Sequence, residues 1–123
     1  MTVKSISLQE VPVVFKKIKK RDGSVVAFDS SKITKAIAKA GKATDDFGEI
    51  DAKNLMLQVL NLTCKTNIRS IPDVEGIQDV VERVLLDSPF FKAAKAYMLY
   101  REQHAKIRAI TTGANLNLVD SYL

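Results

Sequence analysis

Lys16-Lys17-Ile18-Lys19-Lys20-Arg21-Asp22-Gly23-Ser24-Val25-Val26-Ala27-Phe28-Asp29-Ser30-Ser31-Lys32-Ile33 is the stretch from which the fold can be read. Asp22-Gly23 is a pair favoured in tight hairpin turns, where the backbone must take positive φ. Before it, Val13 to Lys20 begins with the β-prone Val13, Val14 and Phe15 and then sets Ile18 between lysines, the alternation of a half-exposed strand. Val25, Val26 and Phe28 form the return strand. A single hairpin is marginal in water, so it must lie on something. Asp29, Ser30 and Ser31 all suit a helix N-cap, and Ile33, Ala36, Ile37 and Ala40 follow at helical spacing. Gly41 is the expected stop of that helix.

Beyond Gly41 the pattern stays helical. A polar loop runs to Glu49, and Asp51 can cap a second helix whose stripe includes Leu55, Val59 and Leu62. Lys65 to Ile71 is too polar for a core strand, but Ile68 and Ile71 can support a short third strand at a sheet edge. Pro72 and Asp73 open a third helix with Ile77, Val80, Val81 and Val84 on its inner face. Ser88-Pro89 pairs a cap with a first-turn proline and leads into a long fourth helix, from Phe90 to about Ile110. Its residues Phe91, Ala94, Tyr97 and Met98 are expected to face the bundle, and Gly113 to end it. The fold class expected is α+β, mainly α: a four-helix bundle capped by a small three-stranded β-sheet.

With 123 residues, 46% apolar and 27% charged, the chain has room and composition for one ordered domain with tails. No run approaches the roughly 20 apolar residues that cross a bilayer, and Met1 to Glu10 holds no signal-like apolar core. Cys64 and His104 each occur once, which excludes an internal disulfide and a zinc site of four Cys or His ligands. Cys64 sits in an apolar helical pattern, as a packed thiol does, and a reducing cytoplasm is the expected compartment. The common phosphate loops, the nucleophile elbow and the H-E-x-x-H zinc signature are missing. Asp45-Asp46 lies in a loop with no His or Lys partner to tune it and reads as a solvated loop.

The net charge of +5 is unevenly placed, with Lys16, Lys17, Lys19, Lys20 and Arg21 crowded together. Three readings are open: a solvated strand face, a nuclear-localisation or nucleic-acid patch, and a phosphate-binding strand. The residues that follow favour the third. The return strand leads into a helix whose first turn exposes unpaired N–H groups. Lys32 stands in that turn against the helix dipole, a placement better tolerated when an anion neutralises it. Cations beside a helix N-terminus suit a polyphosphate. Phe28 and Ile33 offer apolar surface to a base, and Asp29 a carboxylate for a sugar hydroxyl.

Val14 to Gly23, Phe28 to Ile33, Val74-Glu75-Gly76-Ile77-Gln78-Asp79-Val80-Val81-Glu82 and Ala93-Ala94-Lys95-Ala96-Tyr97-Met98-Leu99-Tyr100-Arg101 together resemble the ATP-cone, the nucleotide-sensing domain of many ribonucleotide reductases. The resemblance implies a cone over residues 13–110 and a linker over 111–123 towards a catalytic domain, while residues 1–12, which show no periodicity, read as a flexible N-terminal arm. It implies that Lys20, Arg21 and Lys32 hold phosphates, that Asp29 contacts the adenosine moiety, and that Phe28 and Ile33 line the base pocket. Val26 stands where relatives often carry glutamate, which leaves only a backbone contact. On the third helix Val74 cannot make the polar contact of relatives, whereas Gln78 can. Tyr100 and Arg101 match a Tyr-Arg pair that is either a ligand contact or a packing aromatic beside a solvated arginine.

The tail from Ala114 to Leu123 is similar to the connection into the catalytic barrel of the anaerobic, glycyl-radical reductases, although a cobalamin-dependent reductase could carry a similar cone. The implied function is allosteric: ATP activates the parent ribonucleoside-triphosphate reductase, dATP inhibits it, and this chain itself catalyses nothing. Mg²⁺ usually travels with a triphosphate, and Asp29 is the one carboxylate near the site. The expected partners are ATP or dATP, the parent's catalytic domain and a second cone; neither a membrane nor a nucleic acid is expected. The alternative is a small basic nucleic-acid-binding or transcription-regulatory module, against which 7% aromatic residues and no Trp count.

Overall fold

The computed structural model describes residues 15–66 and 71–110. Strands β1 (Lys17–Lys19) and β2 (Val25–Ala27) are followed by helices α1 (Ser30–Ala43), α2 (Glu49–Thr66), α3 (Val74–Asp87) and α4 (Phe91–Ile110). The fold is mainly helical with a small antiparallel sheet. Lys17 faces Ala27, Ile18 faces Val26 and Lys19 faces Val25. Gly23 takes φ 92° in the connecting turn, the conformation that favours glycine there. Asp22 Oδ1 accepts from Ser24 N at 2.9 Å and from Ser24 Oγ at 2.6 Å, which closes the turn on itself. The strands are shorter than the sequence suggests, although Phe28 N still donates to Lys16 O at 2.8 Å. Val13, Val14, the arm before them, Gly113 and the tail lie outside the described residues.

The expected third strand is only partly within view. Lys65 and Thr66 belong to α2, where Thr66 Oγ1 donates to the carbonyls of Leu62 and Thr63 and prolongs the helical turn. Ile68 lies outside the described residues. What meets β1 comes later: Lys19 N donates to Pro72 O at 3.0 Å, and Lys19 forms an isolated parallel bridge with Asp73. Pro72 has no N–H to extend a ladder, and Asp73 at once caps α3 by accepting from Gly76 N at 2.8 Å. Among the described residues the sheet therefore has two strands and one bridge.

Gly41 does not end α1. The helix runs on to Ala43, and the left-handed residue that follows is Asp45, φ 58°. Gly41 is buried because the Phe47 ring lies on its backbone; a Cβ there would sit 2.7 Å from Phe47 Cζ. Phe47 in turn meets Phe90, ring centroids 4.6 Å apart. The neighbouring acidic pair is not simply solvated, since Asp46 Oδ2 accepts from Ala93 N at 3.0 Å and caps the first turn of α4. Gly41→Ala should push Phe47 off Phe90 and destabilise the domain by about 1–3 kcal/mol, the usual cost of overpacking. Urea denaturation at fixed m-value checks it.

The core joins the sheet to all four helices through Ile18, Ile33, Ile37, Val59, Ile77, Leu85 and Tyr97. Asp51 is not the cap of α2: the helix begins at Glu49, and Ala52 N already donates to Gly48 O. On α4 the inward residues are Ala93, Ala94 and Tyr97. Phe91 is 65% exposed and Met98 39% exposed, contrary to expectation. The helical phase explains this, because residues 91 and 98 are two turns apart on a face that the alanines turn outward. Lys95 Nζ lies 5.7 Å from the Phe91 ring centroid, over a ring that stays mostly exposed.

Candidate functional site

Glu75, Gln78, Asp79 and Glu82 recur at helical spacing on α3 and so share one face. That face meets Arg21 from the hairpin and Arg101 from α4. Gln78 is buried, and its Oε1 accepts from Arg21 Nη2 and from Arg101 Nε, both at 3.1 Å. Glu75 Oε2 accepts from Arg21 Nε at 3.0 Å, and Glu75 Oε1 from Arg101 Nη2 at 2.8 Å. Arg101 Nη1 donates to Asp79 Oδ1 at 3.0 Å and to Glu82 Oε2 at 2.9 Å. Burial alone would raise the Glu75 carboxyl, but the hydrogen bonds from Arg21 and Arg101 outweigh it and hold the group below the usual carboxylate range. Burial likewise works against the Arg101 charge and is outweighed by hydrogen bonds to Asp79 and Glu75 and by Glu82.

Next to this cluster a cavity of about 340 Å³ opens between α1 and α4. Lys32, Lys35 and Lys39 line it from α1, with Ala36, Ala40, Ala43 and Ala96 giving an apolar floor and Tyr97 and Tyr100 an aromatic wall. The two tyrosine rings stack at 6.1 Å, and His104 rests on Tyr100 at 4.2 Å. Lys39 Nζ stands 6.0 Å from the Tyr100 centroid. Tyr97 connects cavity and cluster: it lines the first, while the charges of Arg101, Glu82 and Arg21 act on its hydroxyl. Burial raises that hydroxyl's pKa well above the ordinary tyrosine value, and Oη is buried without a hydrogen-bond partner among the described residues. Tyr97→Phe removes a desolvated polar atom and should leave the ligand-free domain as stable or raise its melting temperature by a few degrees, roughly 1 kcal/mol. Differential scanning calorimetry reads this directly.

The residues singled out in the sequence fall into three places. Arg21, Gln78 and Arg101 meet in the charged cluster. Lys32 and Tyr100 line the cavity. The rest stay near the sheet and the start of α1. Lys20 closes the hairpin, Val26 lies half-buried opposite Ile18, and Phe28 packs on Phe15 at 4.5 Å. Asp29 caps α1, its Oδ1 accepting from Ser31 N at 3.0 Å and Ser31 Oγ at 2.7 Å, and these bonds hold its carboxyl low. Ile33 is 1% exposed and belongs to the core.

Lys35, Lys39, Tyr97 and the acids Glu75, Asp79 and Glu82 of α3 are site residues that the sequence pattern alone does not single out. The signal was present as a lysine stripe at positions 32, 35 and 39 and an acid stripe at 75, 79 and 82. Among the described residues no group of three or more His, Cys, Asp or Glu that could hold a metal stands together, and no helix is long and apolar enough to cross a membrane.

Residues 16–106 match the family model of the ATP cone domain, and the chain belongs to that family. It is 41% identical over 100 residues to the vitamin B12-dependent ribonucleoside-diphosphate reductase of Thermoplasma acidophilum, covering 77% of this chain and 13% of that protein. It is 37% identical over 84 residues to the anaerobic ribonucleoside-triphosphate reductase of Salmonella typhimurium, covering 68% of this chain and 11% of that protein. A ribonucleoside-diphosphate reductase subunit alpha of Chlamydia trachomatis is 35% identical over 99 residues, 72% of this chain and 9% of the relative. The chain thus spans about a tenth of the curated relatives it matches. Cobalamin-dependent and anaerobic enzymes both stand among them, so the similarity does not single out the anaerobic class.

Proposed function

We propose that this chain is the allosteric nucleotide-binding domain of a ribonucleotide reductase, with ATP raising and dATP lowering the activity of the catalytic part. The observation that carries the reading is the cavity between α1 and α4, where three lysines, an apolar floor and two tyrosines meet beside a paired arginine cluster. These are the features a nucleoside triphosphate requires, and about 340 Å³ lies within the roughly 300–1,000 Å³ typical of small-molecule sites. Lys20, Arg21 and Lys32 take the phosphates. Phe28 and Tyr100 supply apolar contact for the base, with the Val26 backbone at its edge, while Ile33 supports the site from the core instead of touching the base. Asp29, Gln78 and Arg101 supply the remaining polar contacts. A magnesium ion travelling with the ligand would neutralise phosphate charge, and Asp29, whose Oδ1 already accepts from Ser31, would be the carboxylate beside it.

ATP and dATP differ by one ribose hydroxyl, which is worth about 1 kcal/mol as a net hydrogen bond. So small a difference regulates an enzyme only if the two ligands favour different arrangements of the domain with the catalytic part or with a second cone. The domain itself catalyses nothing, and residues 111–123 lead towards the catalytic part. Asp29→Asn keeps an Oδ1 acceptor for Ser31 and so preserves the cap, but it removes the charge. The ATP-to-dATP affinity ratio should change while the melting temperature stays put; a ratio unchanged from wild type would take Asp29 out of sugar recognition. The site is tested by mapping amide shifts on ATP addition. Shifts centred on Lys20, Lys32, Lys39 and Tyr100 support it, and shifts centred on the α2–α3 side contradict it.

A further inference from the structure

We propose, resting on the reading of this site as a triphosphate site, that Glu75 is a built-in competitor of the phosphates: it bridges Arg21 and Arg101 in the ligand-free domain and must release them when nucleotide binds. The two oxygens of one carboxylate are divided between guanidinium groups from different parts of the fold, Oε2 to Arg21 and Oε1 to Arg101. Arg108 Nη2 stands 4.0 Å from the same Oε2, so three arginines converge on one acid. A phosphate group presents the same set of acceptor oxygens with more charge.

The burial pattern makes the exchange easy. The arginine side chains are 16% exposed and that of Glu75 is 54% exposed, so the anion lies outside and the cations beneath. Glu75 can therefore turn into water without opening the core. The arginines stay in place when it leaves, because Gln78 Oε1 accepts from both, and Arg101 also keeps Asp79 and Glu82. Glu75 thus neutralises the cations in the empty domain and sets a threshold that only a strongly charged anion passes. Asp79 differs in that its bond to Arg101 uses Nη1, away from the atom that Glu75 holds.

The test compares ATP binding by wild type, Glu75→Gln, Glu75→Ala, Asp79→Asn and Lys32→Ala, each checked for a cooperative melt. Removing the competing charge should tighten ATP binding about tenfold in both Glu75 variants. Asp79→Asn removes the same charge from the same helix and should change binding by less than about twofold. Glu75 variants that bind no tighter than wild type, or no tighter than Asp79→Asn, overturn the exchange while ATP binding that Lys32→Ala weakens leaves the site intact. A folded wild type that binds no ATP overturns the site and the exchange together.

Discussion

Arg101→Met should lower the melting temperature of the ligand-free domain by roughly 10–20 °C, corresponding to about 2–3 kcal/mol. The methionine keeps most of the stem but leaves Glu75, Asp79 and Glu82 without the cation they share. It also deprives Gln78 Oε1 of one of its two guanidinium donors. The partial exposure of the acids keeps the loss below that of a fully buried pair. The effect should depend on pH with a definite sign. Glu75 has a folded pKa below its unfolded value of roughly 4.3. Its contribution is therefore complete above that unfolded value and is lost as pH falls through the lower folded one. Wild type and Arg101→Met should accordingly converge in stability as the medium is acidified below about pH 4. A difference that persists unchanged into strong acid would mean that packing, and not charge, makes Arg101 matter.

Lys32→Ala and Lys20→Ala should each weaken ATP and dATP alike, by about tenfold to a hundredfold. Both ligands carry the same triphosphate, so loss of a cation that grips it cannot separate them. Lys32 stands in the first turn of α1, where its charge opposes the dipole, and it lines the cavity. Its removal should leave the free domain at least as stable, which divides recognition from folding in one variant. A loss confined to one nucleotide would place these lysines at the sugar instead of the phosphates.

Much of this was legible because local signals agreed with one another. Asp22-Gly23, Asp29 and Asp73 each do in the structure what their residue types dictate: a positive-φ turn and two N-caps. The four helices follow from periodicity. What was not legible depends on contacts distant in sequence. Gly41 reads as a helix stop until Phe47 is seen lying on it, and Asp46 reads as solvated until Ala93 arrives beneath it. Phe91 and Met98 were turned inward by their hydrophobicity alone, whereas Ala93, Ala94 and Tyr97 set the phase of α4. In the site, Arg21, Gln78 and Arg101 could be named separately, but their meeting on Glu75 and Gln78 requires the hairpin, α3 and α4 to be packed together. Positive charges on a sequence advertise an anion; the acids that already occupy them do not.

This basic domain should bind a nucleoside triphosphate and not a nucleic acid. Calorimetric titration of the same protein with ATP, with dATP and with a short single-stranded oligonucleotide tests it most directly. Saturable heats for ATP and dATP, with none above dilution for the oligonucleotide at physiological salt, are predicted. Oligonucleotide binding that weakens steeply with salt, together with silence towards both nucleotides, would contradict the account.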